Sequence, residues 1–206
     1  MKSSTYATGF TEKSGSAPAE IVVIGASAGG LAAFEQLLPA LPETMCPPVV
    51  IVQHRGSETR IGLMHYLQRL SRLPVREPED KQVIEPGQVY LAPSGYHLLV
   101  ERGSFALSMS APVCSARPSI DVLFETAADS YRERVVGMIL TGSGRDGAAG
   151  LAKIKRCRGF TVVQEPTTAE ARFMPEAALA LTPNVDRILT LPQICAFLNE
   201  VCTPSM

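Results

Sequence analysis

The sequence predicts an α/β protein, a doubly wound sandwich of three layers with a mostly parallel sheet and a small antiparallel hairpin. Short apolar runs rich in Val and Ile alternate with segments of helical periodicity, which is typical of βαβ units. The runs at 21–24, 49–52 and 135–140 each lead into small or polar residues, as strands do before their loops. The 206 residues are 46% hydrophobic, which is enough for one domain with a full core.

The remaining elements follow from their end signals. Residues 1–18 are rich in Ser, Thr, Gly and Ala without periodicity, so we expect a disordered tail there and one domain at 19–203. Helices are predicted at 31–41 and 59–70, which end before Pro42 and Pro74, and at 119–132, where Ser119 is a good N-cap. Further helices are predicted at 146–156, 175–181 and 193–201, and further strands at 89–92, 97–101, 105–108 and 160–164. The strands at 97–101 and 105–108 form the hairpin.

Composition excludes several classes of function. The formal net charge is −1 and Lys and Arg form no stripe, which argues against a nucleic-acid partner. No apolar run reaches about 18 residues, so no membrane insertion is expected. The first residues lack a signal-peptide pattern, and we therefore expect a cytoplasmic protein. The five cysteines are odd in number and lack C-x-x-C spacing, which indicates reduced thiols. The histidines and cysteines show no metal-ligand spacing, so no metal is expected.

Three strand ends carry the residue types of a serine hydrolase. Ser27 follows the first run, His54 follows the second, and Asp146 lies in a glycine-rich loop after the third. Because ligands bind at the carboxyl ends of parallel strands, we expect these side chains to meet at one edge of the sheet. They would serve as nucleophile, base and the group that orients the base. Of the other histidines, His65 is interpreted as a surface or packing residue, and His97 beside the hairpin is left open.

Other interpretations of these residues stay open. Ser27 and Asp146 are both favoured N-cap residues, and capping of the helices that follow would explain each of them. The segment Gly25-x-Ser27-x-x-Gly30 approaches a dinucleotide-binding fingerprint, but it lacks the middle glycine that lets the backbone approach a pyrophosphate. The second strand also lacks a terminal acid for the ribose. The chain order Ser, His, Asp differs from that of the α/β-hydrolases, so that fold is not expected.

In these and other segments the chain resembles a known family, the catalytic domain of the chemotaxis protein-glutamate methylesterases of the CheB type. The resemblance spans 21–201 and depends on the segments Ile24-Gly25-Ala26-Ser27-Ala28-Gly29-Gly30, Gln53-His54, Ala92-Pro93, Arg117-Pro118-Ser119-Ile120-Asp121 and Ile139-Leu140-Thr141-Gly142-Ser143-Gly144-Arg145-Asp146-Gly147-Ala148-Ala149-Gly150. It implies that Ser27, His54 and Asp146 are the catalytic residues. It also implies hydrolysis of glutamate methyl esters on chemoreceptor helices with release of methanol, deamidation of glutamines in some members, and no cofactor.

The chain departs from the family pattern at the expected site. The family commonly has threonine where Ala28 stands and methionine where Ser143 stands, both near its oxyanion hole. We therefore take the backbone at Ala28 and Ser143 as candidate oxyanion donors. Arg55 and Arg117 are candidates for the substrate cleft, although Arg117 could equally do no more than open a helix.

Control and partners follow from the same resemblance. Family members usually carry an N-terminal receiver domain that covers the site. Because Ser27 comes so early in this sequence, we expect a stand-alone member without that domain, or else a part of a longer protein. The expected partners are a methylated chemoreceptor-like substrate and a receiver protein that acts in trans. A second hypothesis, from a different class, is a catalytically silent signalling or binding module of the same fold.

Overall fold

The structure, a computed structural model, describes residues 18–43, 47–54 and 62–202, apart from the side chain of residue 202. Within these ranges the strands are β1 (Ile21–Ala26), β2 (Val49–Gln53), β3 (Val75–Arg76), β4 (Val89–Leu91), β5 (His97–Val100), β6 (Phe105–Ser108), β7 (Val135–Ile139), β8 (Phe160–Gln164) and β9 (Arg187–Leu189). Seven of them form one sheet in the order β3-β4-β2-β1-β7-β8-β9, and every pair in it is parallel. β5 and β6 form a separate antiparallel hairpin.

The helices of the described ranges are α1 (Gly30–Leu37), α2 (Leu63–Leu70), α3 (Ile120–Tyr131), α4 (Ala148–Arg156), α5 (Phe173–Leu181) and α6 (Leu191–Cys202). Short 3₁₀ turns lie at Leu38–Ala40 and Arg132–Arg134, directly after α1 and α3, and at Pro166–Thr168, after β8. Among the residues of known placement, no helix is long and apolar enough to cross a membrane.

Two hydrophobic cores cover the two faces of the sheet and make the fold three-layered. Every residue of β1 is buried, as expected for a strand inside a parallel sheet. Val22 and Ile24 pack into the core that contains α1, α2 and α6, whereas Ile21 and Val23 pack into the core that contains α3, α4 and α5. This alternation follows from the two-residue period of a strand. The prediction of a doubly wound sandwich with a small hairpin is confirmed.

The differences from the predicted elements are two additional strands and several shifted boundaries. β3 and β9 were not predicted, because strands of two and three residues carry too little pattern. The first helix ends at Leu37 instead of residue 41, and Pro39, which lacks an N–H, lies in the 3₁₀ turn that follows. The helix predicted at 146–156 begins at Ala148, because Gly147 has a φ of 95°, which a right-handed helix cannot contain.

Other boundaries shift by smaller amounts. The last two helices begin earlier than predicted, at Phe173 and Leu191. The predicted helix at 59–70 is described only from residue 62, and its regular part begins at Leu63 after Gly62, whose φ is 98°. The predicted tail lies outside the described residues except for Pro18.

Candidate active site

Ser27 is the first residue after the central strand β1. Its N–H donates to the carbonyl of Thr141 at 3.0 Å, so the turn after β1 is tied to the loop after β7. The N-cap of α1 is Gly29, with a φ of 75°, and no side chain caps the helix. The interpretation of Ser27 as an N-cap is therefore wrong, and its hydroxyl is free of that role. A side chain at Gly29 would meet Glu170, since a Cβ there would lie 2.7 Å from the Cβ of Glu170.

His54 lies beside Ser27 because the strands before them are neighbours. Ala26 is in register with Gln53, and the His54 N–H donates to the Ala26 carbonyl at 3.0 Å. The imidazole is 20% exposed, and its Nε2 lies 2.8 Å from Asp146 Oδ2. With Nε2 at the carboxylate, Nδ1 is the nitrogen left for Ser27. Between these described side chains the structure has no Ser27–His54 hydrogen bond, and such bonds are often long before substrate binds.

Asp146 is buried, with 1% of its surface exposed, and it accepts four hydrogen bonds. Oδ1 accepts from the Ser119 hydroxyl at 2.7 Å and from the Asp121 N–H at 3.0 Å. Oδ2 accepts from the Ile120 N–H at 2.7 Å and from His54. Three of these donors belong to the N-terminus of α3, where free N–H groups and the helix dipole favour an anion. Asp146 therefore does not cap α4, whose N-cap is Gly147, and that interpretation is wrong.

The hydrogen bonds also decide the charge of Asp146. Burial by itself would raise the pKa of this carboxyl. The bonds from His54, from the N–H groups of Asp121 and Ile120 and from the Ser119 hydroxyl outweigh burial and hold the pKa below its ordinary value of 3.8. An ionised Asp146 keeps a proton on His54 Nε2, and so leaves Nδ1 able to accept one.

A group of potential metal ligands borders the same carboxylate. Atoms of Cys114, Asp121 and Asp146 lie within 4.8 Å of one another. Both oxygens of Asp146 already accept hydrogen bonds, and Asp121 Oδ1 accepts from the Gly150 N–H at 2.7 Å. Burial and the nearby carboxylates raise the pKa of the Cys114 thiol, which stays protonated. The Asp146 oxygens are thus used to orient His54. Because the carboxylate oxygens already accept hydrogen bonds and the thiol is protonated, these three side chains do not suit a cation.

A cleft of about 280 Å³ opens over His54. Its lining consists of His54, Ser94, Cys114, Ser115, Ala116, Arg117 and Pro118. Arg117, a candidate for the substrate cleft, is among the lining residues, and its Nη1 donates to the carbonyls of Met109 and Ser110 at 2.8 and 3.0 Å. Its guanidinium therefore also supports the loop before α3. Arg55 lies outside the described residues.

The two candidate oxyanion donors lie on adjacent loops. Ala28 is exposed, and its carbonyl accepts from the Thr141 hydroxyl at 2.8 Å. Ser143 is also exposed and lies two residues beyond Thr141. The bond between Ser27 and Thr141 joins these loops, so the backbones at Ala28 and Ser143 border the same edge as Ser27.

In the part of the chain that the structure describes, the other two histidines form no hydrogen bond with Ser27 or Asp146. His65 is exposed on α2. His97 is buried, and its Nδ1 accepts from the Ser119 N–H at 3.2 Å while Nε2 donates to the Ala111 carbonyl at 3.1 Å. His97 therefore supports the segment that holds Asp146. The role of His97 was left open by the sequence, and these contacts favour a structural one.

Sequence reasoning missed some residues that build the site. Ser119 was predicted as the N-cap of α3, and it does accept from the Val122 N–H, but its hydroxyl also donates to Asp146. Thr141 was quoted only within a motif, yet it bonds Ser27, Ala28 and Ala171. Gln53 links two strand-end turns. The one sign of them in the sequence is their position, since each lies at or close to the end of a strand or the start of a helix.

Comparison with known proteins identifies the family of the chain. The family model described as CheB methylesterase matches residues 22–198. A relative from Leptospira interrogans is 46% identical over 85% of this chain and 91% of its own length. The protein-glutamate methylesterase/protein-glutamine glutaminase 2 of Anaeromyxobacter dehalogenans is 41% identical over 94% of this chain and 58% of its own.

A solved structure extends the agreement to the fold. The CheB methylesterase catalytic domain of Thermotoga maritima superposes with a TM-score of 0.83 at 32% identity, over 90% of this chain and all of that one. These matches confirm the predicted enzyme class, a carboxylic ester hydrolase. The chain belongs to the CheB methylesterase family.

Proposed function

We propose that this protein is a serine esterase that hydrolyses glutamate methyl esters on a chemoreceptor-like signalling protein. The observation that carries the proposal is the 2.8 Å contact between His54 Nε2 and the buried Asp146 carboxylate. His54 follows β2, the strand that pairs with β1, and Ser27 is the first residue after β1. A base oriented by a carboxylate beside a serine is the arrangement that serine hydrolysis needs. The names of the relatives support glutamyl esters as the substrate class.

In the proposed reaction Ser27 Oγ attacks the ester carbonyl while its proton passes to His54 Nδ1. The tetrahedral intermediate collapses, the C–O bond to the methoxy group breaks, and His54 returns the proton, so that methanol leaves. Water then attacks the acyl-enzyme with His54 again as the base, and a second tetrahedral intermediate forms. Its collapse breaks the bond to Ser27 Oγ, which takes the proton back from His54, and the glutamate carboxylate is released. Asp146 stabilises the imidazolium through Nε2 in both halves. The same steps on a glutamine amide would release ammonia.

Backbone N–H groups at Ala28 and Ser143 are the proposed oxyanion donors. Such donors act best when they are preorganised, and each one contributes about 10²–10³-fold to turnover. Neither donor needs the side chain that the family commonly has at these positions. Arg117, at the wall of the cleft, would face the substrate segment around the ester.

The proposal includes a cytoplasmic location, a methylated receptor as substrate, and control by a receiver protein that binds in trans near Ser27. Free thiols at Cys114, Cys157 and Cys195 are compatible with a reducing compartment. A domain spanning 19–203 would carry the activity.

The test is methanol release from methylated chemoreceptor fragments by the wild-type protein and by Ser27→Ala. We expect a loss of about 10⁴-fold or more in turnover, because the nucleophile is removed. Only the wild type should react with a fluorophosphonate probe. If the variant kept most of the activity, Ser27 would not be the nucleophile. If neither protein released methanol or was labelled, the silent signalling module would be the better hypothesis.

A further inference from the structure

A buried glutamine bridges the turns that carry the serine and the histidine. Gln53 is the last residue of β2, and only 8% of its surface is exposed. Its Nε2 donates to the Ser27 carbonyl and to the His54 carbonyl, both at 2.8 Å. One amide group therefore fixes both turns relative to each other.

The Ser27 carbonyl accepts from Gln53 Nε2 and also from the Gly30 N–H at 3.0 Å, and these two bonds fix where the next N–H points. The only cis peptide bond among the described residues is Arg117–Pro118, so the Ser27–Ala28 bond is trans. In a planar trans peptide the C=O and N–H groups point in opposite directions. With the carbonyl directed at the buried Gln53, the Ala28 N–H is directed away from it. In the part of the chain that the structure describes, that N–H has no hydrogen-bond partner.

The orientation of the Gln53 amide is unambiguous. If it were flipped, Oε1 would face two carbonyl oxygens, and neither contact could be a hydrogen bond. In the observed orientation Oε1 is buried without a partner among the described residues. Leaving a buried acceptor unpaired lowers stability. Oε1 also lies against Gly30, where an added Cβ would come within 2.0 Å of it.

We propose that Gln53 is a positioning residue that aims the Ala28 N–H at the oxyanion and holds the Ser27 and His54 turns in register. This inference rests on the proposed function. It assigns a role in the transition state, because an oxyanion forms only after Ser27 has attacked. Loss of the amide should therefore lower kcat and leave KM nearly unchanged.

The first experiment measures kcat and KM for methylated receptor fragments with Gln53→Met, which keeps the length of the side chain and removes its donors. We expect kcat to fall by roughly 10–100-fold, less than for full loss of an oxyanion donor, with KM within about twofold of wild type. Gln88→Met is the matched control. Gln88 also has a buried Oε1 without a partner among the described residues, but it precedes β4 at the opposite end of the sheet. This control should keep wild-type kcat.

A second route displaces the same amide without changing Gln53. Gly30→Ala places a methyl group 2.0 Å from Oε1 and 2.8 Å from the Cβ of Ala26. The displaced amide should lower kcat in the same way, with KM again nearly constant, and the contact with Ala26 remains when Gln53 is changed. In a Gln53→Ala background the same substitution should lower kcat by a clearly smaller factor, because the displaced amide is absent. If Gln53→Met does not fold, the comparison of Gly30→Ala in the wild-type and Gln53→Ala backgrounds still tests the role of the amide.

The outcomes separate the two proposals. Folded Gln53→Met with kcat within twofold of wild type would overturn the inference, as would a rise in KM at constant kcat. An equal loss of kcat in Gln88→Met, or independent effects of Gly30→Ala and Gln53→Ala, would also overturn it. Failure of the proposed function looks different, since the wild type would then be inactive and indistinguishable from Ser27→Ala.

Discussion

Replacing Asp146 with asparagine tests how the carboxylate acts, because the change keeps the shape and removes the charge. In the wild type, four hydrogen-bond donors share the two carboxylate oxygens of Asp146. In Asp146→Asn the remaining oxygen best occupies the Oδ1 position, where it can accept from Ser119 and Asp121. The new NH₂ group then faces the Ile120 N–H and His54 Nε2. His54 can accept from it only by moving its own proton to Nδ1, and the ring then cannot take a proton from Ser27.

The size of both effects follows from these contacts. The wrong tautomer should lower kcat by about 10⁴-fold, as in other triads. At least one buried donor, the Ile120 N–H, loses its acceptor, which should cost about 1–3 kcal/mol of the free energy of unfolding. Asp186→Asn is a suitable control. It changes a carboxylate that accepts from Thr161 and Lys155, away from Ser27, and should lower stability without lowering kcat.

The pH dependence of stability gives a second readout. Since the pKa of Asp146 is depressed in the folded protein, its charge contributes stability above its ordinary value of 3.8, and that contribution is lost as the pH falls through the folded pKa. The stability difference between wild type and Asp146→Asn, measured by urea unfolding, should therefore shrink as the pH falls below 3.8. A difference that stayed constant with pH, or a kcat within tenfold of wild type, would refute this account of Asp146.

Two further predictions concern the site as a unit. His54→Ala should be as severe as Asp146→Asn, and the double variant should be little worse than the worse single variant, because residues of one relay are non-additive; multiplicative losses in kcat would contradict a shared relay. Dialysis of the wild type against a chelator should leave turnover unchanged, because both Asp146 oxygens are already bound by donors; activity lost to the chelator and restored by zinc would contradict it.

The capping alternatives show how a local pattern can be ambiguous. Ser27 and Asp146 each precede a helix by a few residues, as an N-cap would, and the sequence could not separate capping from catalysis. The structure separates them through backbone conformation, since left-handed Gly29 and Gly147 take the N-cap positions of α1 and α4. Asp146 still binds a helix N-terminus, but the helix is α3.

The residue pattern was enough to predict the fold class and to place Ser27, His54 and Asp146 at one edge of the sheet. It could do so because apolar runs mark buried parallel strands, and polar residues at their ends lie at one edge. The contacts of the folded chain were needed to find that Asp146 is anchored by Ser119 and the start of α3, and that Gln53 joins the turns of Ser27 and His54. The bonds that Asp146 accepts from Ser119 and the start of α3, and the bond from Gln53 to the Ser27 carbonyl, connect residues 25 to 27 positions apart. Hydrophobic periodicity reports which face of an element is buried, but it carries no information about the distant partner that a polar side chain will find.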